Sequence, residues 1–269
     1  MKEPHLSEFK RLIRDFAASR DIHDSASGGG FAAPSGEADE DYVAREVERH
    51  DAHRRSLNPM LERYVGGARR ILDFGCGTGG TTVAMALSAL GADEVVGVDA
   101  NAGVLEAAAA RGRGCALAPP RLRFEHVTPG RPLPFPDASF ELVVTVSVLE
   151  FVTRSSDRDA IVAELRRLVA PGGFLFVSTP RPGLREYHSR ALLGDARRAD
   201  GLPWSSTPWQ VRRWGEGWRR ISVSEHLASQ VSRRVPWLPP RMVARTLGPV
   251  LPLVGRWQKV LWQRPASRR

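Results

Sequence analysis

The sequence predicts an α/β fold with a doubly wound, mostly parallel sheet. Short Val-rich segments alternate with helical segments of 10 to 13 residues between Arg69 and Pro180. Such alternation is typical of βαβ crossovers, which cover both faces of a parallel sheet with helices. A glycine-rich turn also separates the first strand from the first of these helices. Because an open sheet of this kind binds its ligand at the carboxyl ends of its strands, we expect the functional site at that edge.

Residues 1–66 predict a helical arm, a linker and a lid. Apolar residues recur at helical spacing over 6–16, which predicts an amphipathic helix. Residues 24–38 are rich in Gly, Ser and Ala and have no periodicity, which predicts a flexible linker. A lid helix is predicted to begin at Asp39 or Asp41 and to end near residue 55. Pro59 then opens a further helical turn.

Residues 67–265 predict a single sheet domain, and residues 266–269 form a short tail. The last two strands of the sheet domain are separated by a Pro- and Arg-rich insertion at 226–256, and we expect these strands to complete the sheet as a hairpin. The seven predicted strands lie at 68–74, 94–100, 121–127, 140–149, 174–180, 217–226 and 255–265.

Positive charge and tryptophan are concentrated in the last third of the chain. The 269 residues include 39 Lys and Arg against 30 Asp and Glu, for a net charge of +9. Residues 181–269 hold 18 positive and 5 negative side chains, together with all seven Trp. We therefore expect this region, rather than the cofactor domain, to choose the substrate.

Composition also restricts the class of protein. Cys76 and Cys115 are too few for a disulfide framework, and no Cys/His cluster predicts a structural metal. The N-terminal segment lacks an apolar core with a cleavage site, and no apolar run approaches the roughly 20 residues of a spanning helix. We expect a cytoplasmic protein, with peripheral membrane or lipid contact through 226–256 as an alternative.

The segment ILDFGCGTGG at 71–80 carries the strongest functional signal. Asp73 closes a strand, and glycines follow at positions 75, 77, 79 and 80. Glycine lets the backbone turn sharply and approach a ligand, and the next helix directs its positive end to the same place. The spacing also satisfies GxGxxG, the pattern of dinucleotide sites. Asp73 argues against that alternative, because a carboxylate would repel a pyrophosphate but suits a ligand with an ammonium and a sulfonium.

Asp99 ends the second predicted strand, about 20 residues beyond the glycine loop, as a ribose-binding acid does in a nucleoside site. A carboxylate at this place can accept hydrogen bonds from both ribose hydroxyls.

With these motifs in order, residues 69–180 resemble the class I S-adenosylmethionine-dependent methyltransferases. LPFPDASFELVV (133–144), VSVLEFV (146–152) and LRRLVAPGGFLFVSTP (165–180) look like that family's later motifs. The resemblance implies a Rossmann-like, seven-stranded fold and an enzyme that uses S-adenosyl-L-methionine. It implies that Asp73 and the loop hold the methionine end, Asp99 the ribose, and Ala100 and Asn101 the adenine. The cofactor-binding residues that it implies are Asp73, Gly75, Cys76, Gly77, Thr78, Gly79, Asp99, Ala100, Asn101, Val127, Thr128 and Ser147.

Two positions depart from the family pattern. Pro129 stands where many members carry an acid that binds the adenine amino group, so we expect backbone groups near Val127 and Thr128 to replace it. Phe151 stands where a His often follows Leu-Glu, which removes one general base.

Glu186 and His188 follow the fifth strand and are the predicted catalytic acid–base residues. Methyl transfer requires no metal, and Glu46 with His50 is interpreted as a solvated helix face rather than a metal pair. Tyr42 on the lid is a candidate to close over the cofactor.

The predicted function is methylation of a small molecule, such as a secondary metabolite or lipid-like compound. Three functional interpretations of the last third stay open: tryptophans 204, 209, 214 and 218 as walls of an acceptor pocket, a lipid-binding insertion, or an RNA-binding surface. The remaining alternative is ordinary core and solvated surface. RNA methylation and a non-catalytic, dinucleotide-binding module are the alternative functions.

Overall fold

The structure, a computed structural model, describes residues 3–18, 39–152, 154–180, 205–221 and 257–266. Its strands are β1 Arg70–Phe74, β2 Glu94–Asp99, β3 Leu122–His126, β4 Phe140–Val146, β5 Val169–Pro180, β6 Arg219–Ile221 and β7 Trp257–Gln263. They form one seven-stranded sheet in the order β3-β2-β1-β4-β5-β7-β6. Strands β1 to β5 are parallel, and β7 is antiparallel to both β5 and β6. The predicted fold class is confirmed.

Seven α-helices and one 3-10 turn are described between and before these strands. Local caps mark the beginning of two of them: the Asn101 side chain accepts from Gly103 N at 2.9 Å, and the Thr207 side chain accepts from Gln210 N. The helices are α1 Glu3–Ala18, α2 Asp39–Ser56, α3 Asn58–Tyr64, α4 Gly80–Ala86, α5 Ala102–Gly114, α6 Ser155–Leu168 and α7 Pro208–Trp214, and the 3-10 turn is Leu149–Phe151.

Two apolar layers cover the two faces of the sheet. In β1, Ile71 and Leu72 point to opposite faces and both are fully buried. The layer that contains Ile71 includes Val83 and other residues of α4. The layer that contains Leu72 includes Leu165 of α6 and Trp214 of α7. The helices therefore lie on both sides of the parallel strands, as the alternating pattern predicts.

The N-terminal arm packs against the sheet domain through a third, smaller apolar cluster. Phe9 and Ile13 of α1, both fully buried, pack with Val43 of α2 and with Ala107 and Ala110 of α5. The two arm helices therefore share a core with the helix that follows β2.

Two predicted elements end earlier in the structure than the sequence indicated. The segment TTVAMALSAL at 81–90 predicts the helix after the glycine loop, but α4 ends at Ala86. There the Ser88 backbone N–H and hydroxyl both donate to the Met85 carbonyl, at 3.1 and 2.5 Å, in place of a continuing helical bond. Strand β4 ends at Val146 because Ser147 adopts a φ of 59°.

The tryptophans of the last third do not act as one group. Trp214 is 4% exposed and donates its indole N–H to Asp159 at 2.6 Å, so among the open interpretations the structure favours a core residue at this position. The guanidinium carbon of Arg166 lies over the Trp218 ring, 4.8 Å from the centre of that ring. Helix α7, which presents Trp209 to solvent, was not predicted from the sequence.

Several predicted features lie outside the described residues: the linker 24–38, the insertion 226–256 and Trp204. Among the described helices, none is long and apolar enough to cross a membrane.

We expect Trp214→Ala to lower the free energy of unfolding by about 3–5 kcal/mol, because it removes a buried ring and leaves Asp159 without its indole donor. Trp209→Ala on the same helix is the matched control, since Trp209 is 71% exposed, and should lower it by less than about 1 kcal/mol. Urea denaturation measures both. Equal losses would contradict the assignment of Trp214 to the core.

Candidate active site

The carboxyl ends of β1, β2 and β4 meet at one edge of the sheet, and the glycine loop at 75–79 follows β1 there. Gly75 has a φ of 71°, and a Cβ at this position would lie 2.2 Å from Cγ2 of Val148. Its N–H donates to the Val98 carbonyl at 2.8 Å. Only glycine satisfies both the backbone angle and the close approach of Val148. The loop is therefore fixed between the ends of β2 and β4.

Gly77 occupies a different environment in the same loop. It also has a positive φ, 51°, but a Cβ there would meet no atom within 4 Å. The backbone at Gly77 therefore borders open space, which a ligand approaching the loop can occupy. This open side lies at the residue whose N–H donates to the Asp99 carboxylate, and a carboxylate there fits a cationic nucleoside such as S-adenosylmethionine.

Asp99 joins the end of β2 to the glycine loop. One of its carboxylate oxygens accepts from Gly77 N at 2.8 Å, and the other accepts from Asn101 N at 2.9 Å. Burial raises its pKa, and these backbone donors oppose that increase. Because each oxygen has two lone pairs, Asp99 is held in place and keeps acceptor capacity for ribose hydroxyls.

Asp73 is the buried acid of the site. It is 1% exposed and accepts a 2.7 Å hydrogen bond from the Thr82 hydroxyl of α4. Burial raises its pKa to about 7, and the nearby charge of Asp99 adds to the increase. The carboxyl therefore titrates near neutral pH, and a neighbouring cation favours its ionised form.

The predicted adenine region lies beside the end of β2. Val127 N donates to the Asp99 carbonyl at 3.0 Å, and the His126 ring lies 3.0 Å from the Ala100 carbonyl. Thr128 is exposed at the same end of β3. The structure thus brings together the residues of the glycine loop, the end of β2, the end of β3 and the end of β4 that the sequence assigned to the cofactor. Their direct contact with it stays a prediction.

Glu150, in the 3-10 turn after β4, is a buried acid that the sequence analysis did not select. It is 2% exposed, its Oε2 has no hydrogen-bond partner among the described residues, and burial raises its pKa to about 8. The Ser147 side chain hydrogen-bonds to the same carboxyl. The signal in the sequence was one acid within the apolar run VSVLEFV. With a pKa near 8, the Glu150 carboxyl is mostly protonated at neutral pH.

Glu46 and His50 were interpreted as part of a solvated face, which is wrong: they are 3% and 6% exposed. Both contact Arg111 of α5, since His50 Nδ1 lies 3.2 Å and Glu46 Oε2 lies 3.6 Å from guanidinium nitrogens. Arg111 was also missed, although it interrupts the alanine run of α5. Within the described ranges, no group of three or more His, Cys, Asp and Glu side chains could hold a metal ion.

The predicted catalytic residues Glu186 and His188 lie outside the described residues, and so does the side chain of Tyr42. The edge at which β5 ends is described as far as Pro180. Ser206 returns to this edge, where its N–H donates to the Pro180 carbonyl at 3.0 Å.

This fold and site define a class of enzyme, and comparison with known proteins gives the same answer. Residues 72–177 match the family model described as a methyltransferase domain. The chain belongs to the class I S-adenosylmethionine-dependent methyltransferases, and S-adenosylmethionine is its methyl donor. The dinucleotide-binding alternative is not supported.

Among individual relatives, a ubiquinone biosynthesis O-methyltransferase from Methylococcus capsulatus is 30% identical over 202 residues. The alignment covers 65% of this chain and 80% of that protein.

Two solved structures share the fold over almost the whole chain. Geranyl diphosphate C-methyltransferase from Streptomyces coelicolor A3(2) is 16% identical with a TM-score of 0.51, covering 97% of this chain and 98% of that one. The [4+2]-cyclase SpnF is 19% identical with a TM-score of 0.52, covering 96% of each chain. At these identities the likeness shows the fold alone.

The raised pKa of Asp73 predicts how stability changes with pH. The folded chain binds the proton of this carboxyl more tightly than the unfolded chain does. The stability that this proton contributes is therefore complete below about pH 4 and is lost as the pH rises through about 7. Asp73→Asn cannot titrate. The free energy of unfolding of the wild type, minus that of this variant, should fall by about 1 kcal/mol per pH unit between pH 5 and pH 7. Urea denaturation at pH 5, 6 and 7 measures the difference, and a pH-independent value would refute the raised pKa.

Proposed function

We propose that this enzyme methylates a small, largely apolar molecule of the kind made in quinone or secondary metabolism. The observation that carries the proposal is the relative from Methylococcus capsulatus, whose alignment extends over 202 residues and so well beyond the 72–177 methyltransferase domain. Similarity outside the cofactor domain supports a related class of acceptor.

We assign different parts of the cofactor to different residues at this edge of the sheet. When bound, S-adenosylmethionine supplies an activated methyl group on a sulfonium. We assign the ribose to Asp99, because both oxygens of this carboxylate are oriented by backbone N–H groups of the loop and of α5. We assign the methionine end to Asp73 and to the open side of Gly77, where a cation stabilises the ionised carboxylate.

An acceptor hydroxyl or amine must also lose a proton. Glu186 and His188 are the predicted proton acceptors. Glu150, a buried acid at the end of β4, is a third candidate only above about pH 8, because burial raises its pKa to about 8 and only the ionised carboxylate can accept a proton. The apolar neighbours of Glu150, which include the fully buried Leu149, suit an acceptor with little charge.

Methylation of RNA is the second candidate function, and the observation that favours it is the charge of the last third. Residues 181–269 hold 18 positive side chains and 5 negative ones. In the described part, Arg212 and Arg220 are exposed, and Arg212 lies three residues after the exposed Trp209 on α7. Arginine with exposed aromatic rings is typical of single-stranded RNA binding.

Calorimetric titration tests the cofactor assignment. Asp99→Ala should weaken the binding of S-adenosylmethionine and of S-adenosylhomocysteine by about 10- to 100-fold, because it removes charged acceptors of the ribose hydroxyls. Asp93→Ala is the matched control: this acid lies just before β2 at the opposite edge, is exposed, and pairs with Arg69 at 2.6 Å. Equal affinities for the wild type and Asp99→Ala would show that Asp99 does not bind the cofactor.

Transfer of a labelled methyl group from S-adenosylmethionine into a cell extract tests the acceptor class. We expect label in low-molecular-mass material that partitions into organic solvent, with Asp99→Ala as the inactive control. Label that is sensitive to ribonuclease and remains with the aqueous polymer fraction would instead establish RNA as the acceptor.

A further inference from the structure

Behind the glycine loop lies a buried polar cluster that we call the loop clamp: Glu46 of α2, Thr78 of the loop and Arg111 of α5. The Arg111 guanidinium donates to the Thr78 carbonyl at 2.8 Å and to the Glu46 backbone carbonyl at 2.6 Å. The Thr78 hydroxyl donates to the Glu46 carboxylate at 2.5 Å. Three separate parts of the chain are therefore joined by direct hydrogen bonds.

The clamp holds a fully buried positive charge. Arg111 is 0% exposed, and its guanidinium lies 4.3 Å above the ring centre of Phe9 in α1. His50 adds a contact of 3.2 Å from Nδ1 to the guanidinium. The Glu46 carboxylate also pairs with Arg49 at 2.7 Å. The Arg111 guanidinium is thus paired with the Glu46 carboxylate of the N-terminal arm, at 3.6 Å, and also donates to Thr78 of the sheet domain.

The clamp acts on the part of the loop that has the most conformational freedom. Thr78 lies between Gly77 and Gly79, which both have positive φ, and glycines lose more backbone freedom on ordering than other residues. Thr78 is fixed through both its carbonyl and its hydroxyl. Fixing Thr78 therefore fixes the orientation of its two flanking peptides, Gly77–Thr78 and Thr78–Gly79, next to the residue whose N–H donates to Asp99.

Packing alone does not require this arrangement. The contact of α1 and α2 with α5 already has an apolar cluster built on Phe9, Ile13 and Val43. Replacing a buried ion pair by apolar side chains of similar volume is often neutral or stabilising, so stability alone does not account for a guanidinium at this place. A guanidinium differs from an apolar side chain in its planar fork of donors, which fixes the groups that it contacts.

We propose that Arg111 and Glu46 are positioning residues that preorganise the glycine loop for S-adenosylmethionine, which makes the N-terminal arm part of the cofactor site. The inference rests on the proposed placement of the cofactor at this loop. A preorganised loop binds more tightly because less conformational entropy is lost on binding.

Three variants test the clamp: Arg111→Met, Arg111→Lys and Glu46→Gln. We expect the affinity for S-adenosylhomocysteine, measured by calorimetry, to fall about 10-fold or more in the two Arg111 variants and by a smaller factor in Glu46→Gln. Lysine keeps the charge but cannot donate to Thr78, Glu46 and His50 together, so it should not restore binding. If Arg111 only balanced the charge of Glu46, Arg111→Lys would bind like the wild type.

Arg113→Met is the matched control. Arg113 lies two residues further along α5 and pairs with Glu8 of α1 at 2.7 Å on the surface, without contact to the loop. It should bind S-adenosylhomocysteine within twofold of the wild type. All variants are titrated below their melting temperatures, and Glu46→Gln with Arg111→Lys decides the question if Arg111→Met does not fold.

Hydrogen exchange of the free enzyme gives a readout that does not depend on the ligand. The amides of residues 77–79 should exchange at least several-fold faster in Arg111→Lys than in Arg113→Met. Unchanged exchange together with unchanged affinity overturns the clamp. Failure of the wild type itself to bind S-adenosylhomocysteine would instead overturn the cofactor assignment, so the two failures are distinguishable.

Discussion

Strand β1 is hydrogen-bonded to β2 on one side and to β4 on the other, and the active edge depends on this parallel pairing. Asp73 in β1 lies opposite Gly97 in β2 and Val144 in β4. The strand ends are therefore level, and the residues that follow them converge. Gly75 turns between Val98 and Val148, and any side chain there would separate β1 from β4. A single register thus creates both the loop and the space beside it.

Burial of ionisable groups is the second constraint on the site. Asp73 and Glu150 are nearly inaccessible, and burial raises the pKa of each carboxyl to about 7 and about 8. Neither is paired with a basic side chain in the described part of the chain. Arg111 is also buried, but unlike the two acids its charged group donates hydrogen bonds to nearby acceptors, the carbonyls of Thr78 and Glu46. The site therefore keeps acids that can change charge, while the support behind the loop keeps a charge that does not change.

The fold by itself does not specify the reaction. A C-methyltransferase and a [4+2]-cyclase both share it over almost their whole length at 16% and 19% identity. The assignment to the methyltransferases comes from the matched domain at 72–177 and from a relative with 30% identity.

The sequence by itself determined the α/β class, the order of the elements and the loop with its two acids. These features are local: strand and helix periodicity, glycines that permit positive φ, and acids at strand ends do not depend on distant contacts. Local sequence pattern did not predict a helix or the burial of a side chain where a distant residue determines it. Helix α7 and the burial of Trp214 depend on Asp159 in α6, 55 positions away in the chain. Glu46 and His50 read as a solvated face because their partner, Arg111, follows more than 60 residues later. Only the tertiary structure brings such groups together, since the energy of a buried charge depends on partners that sequence spacing does not reveal.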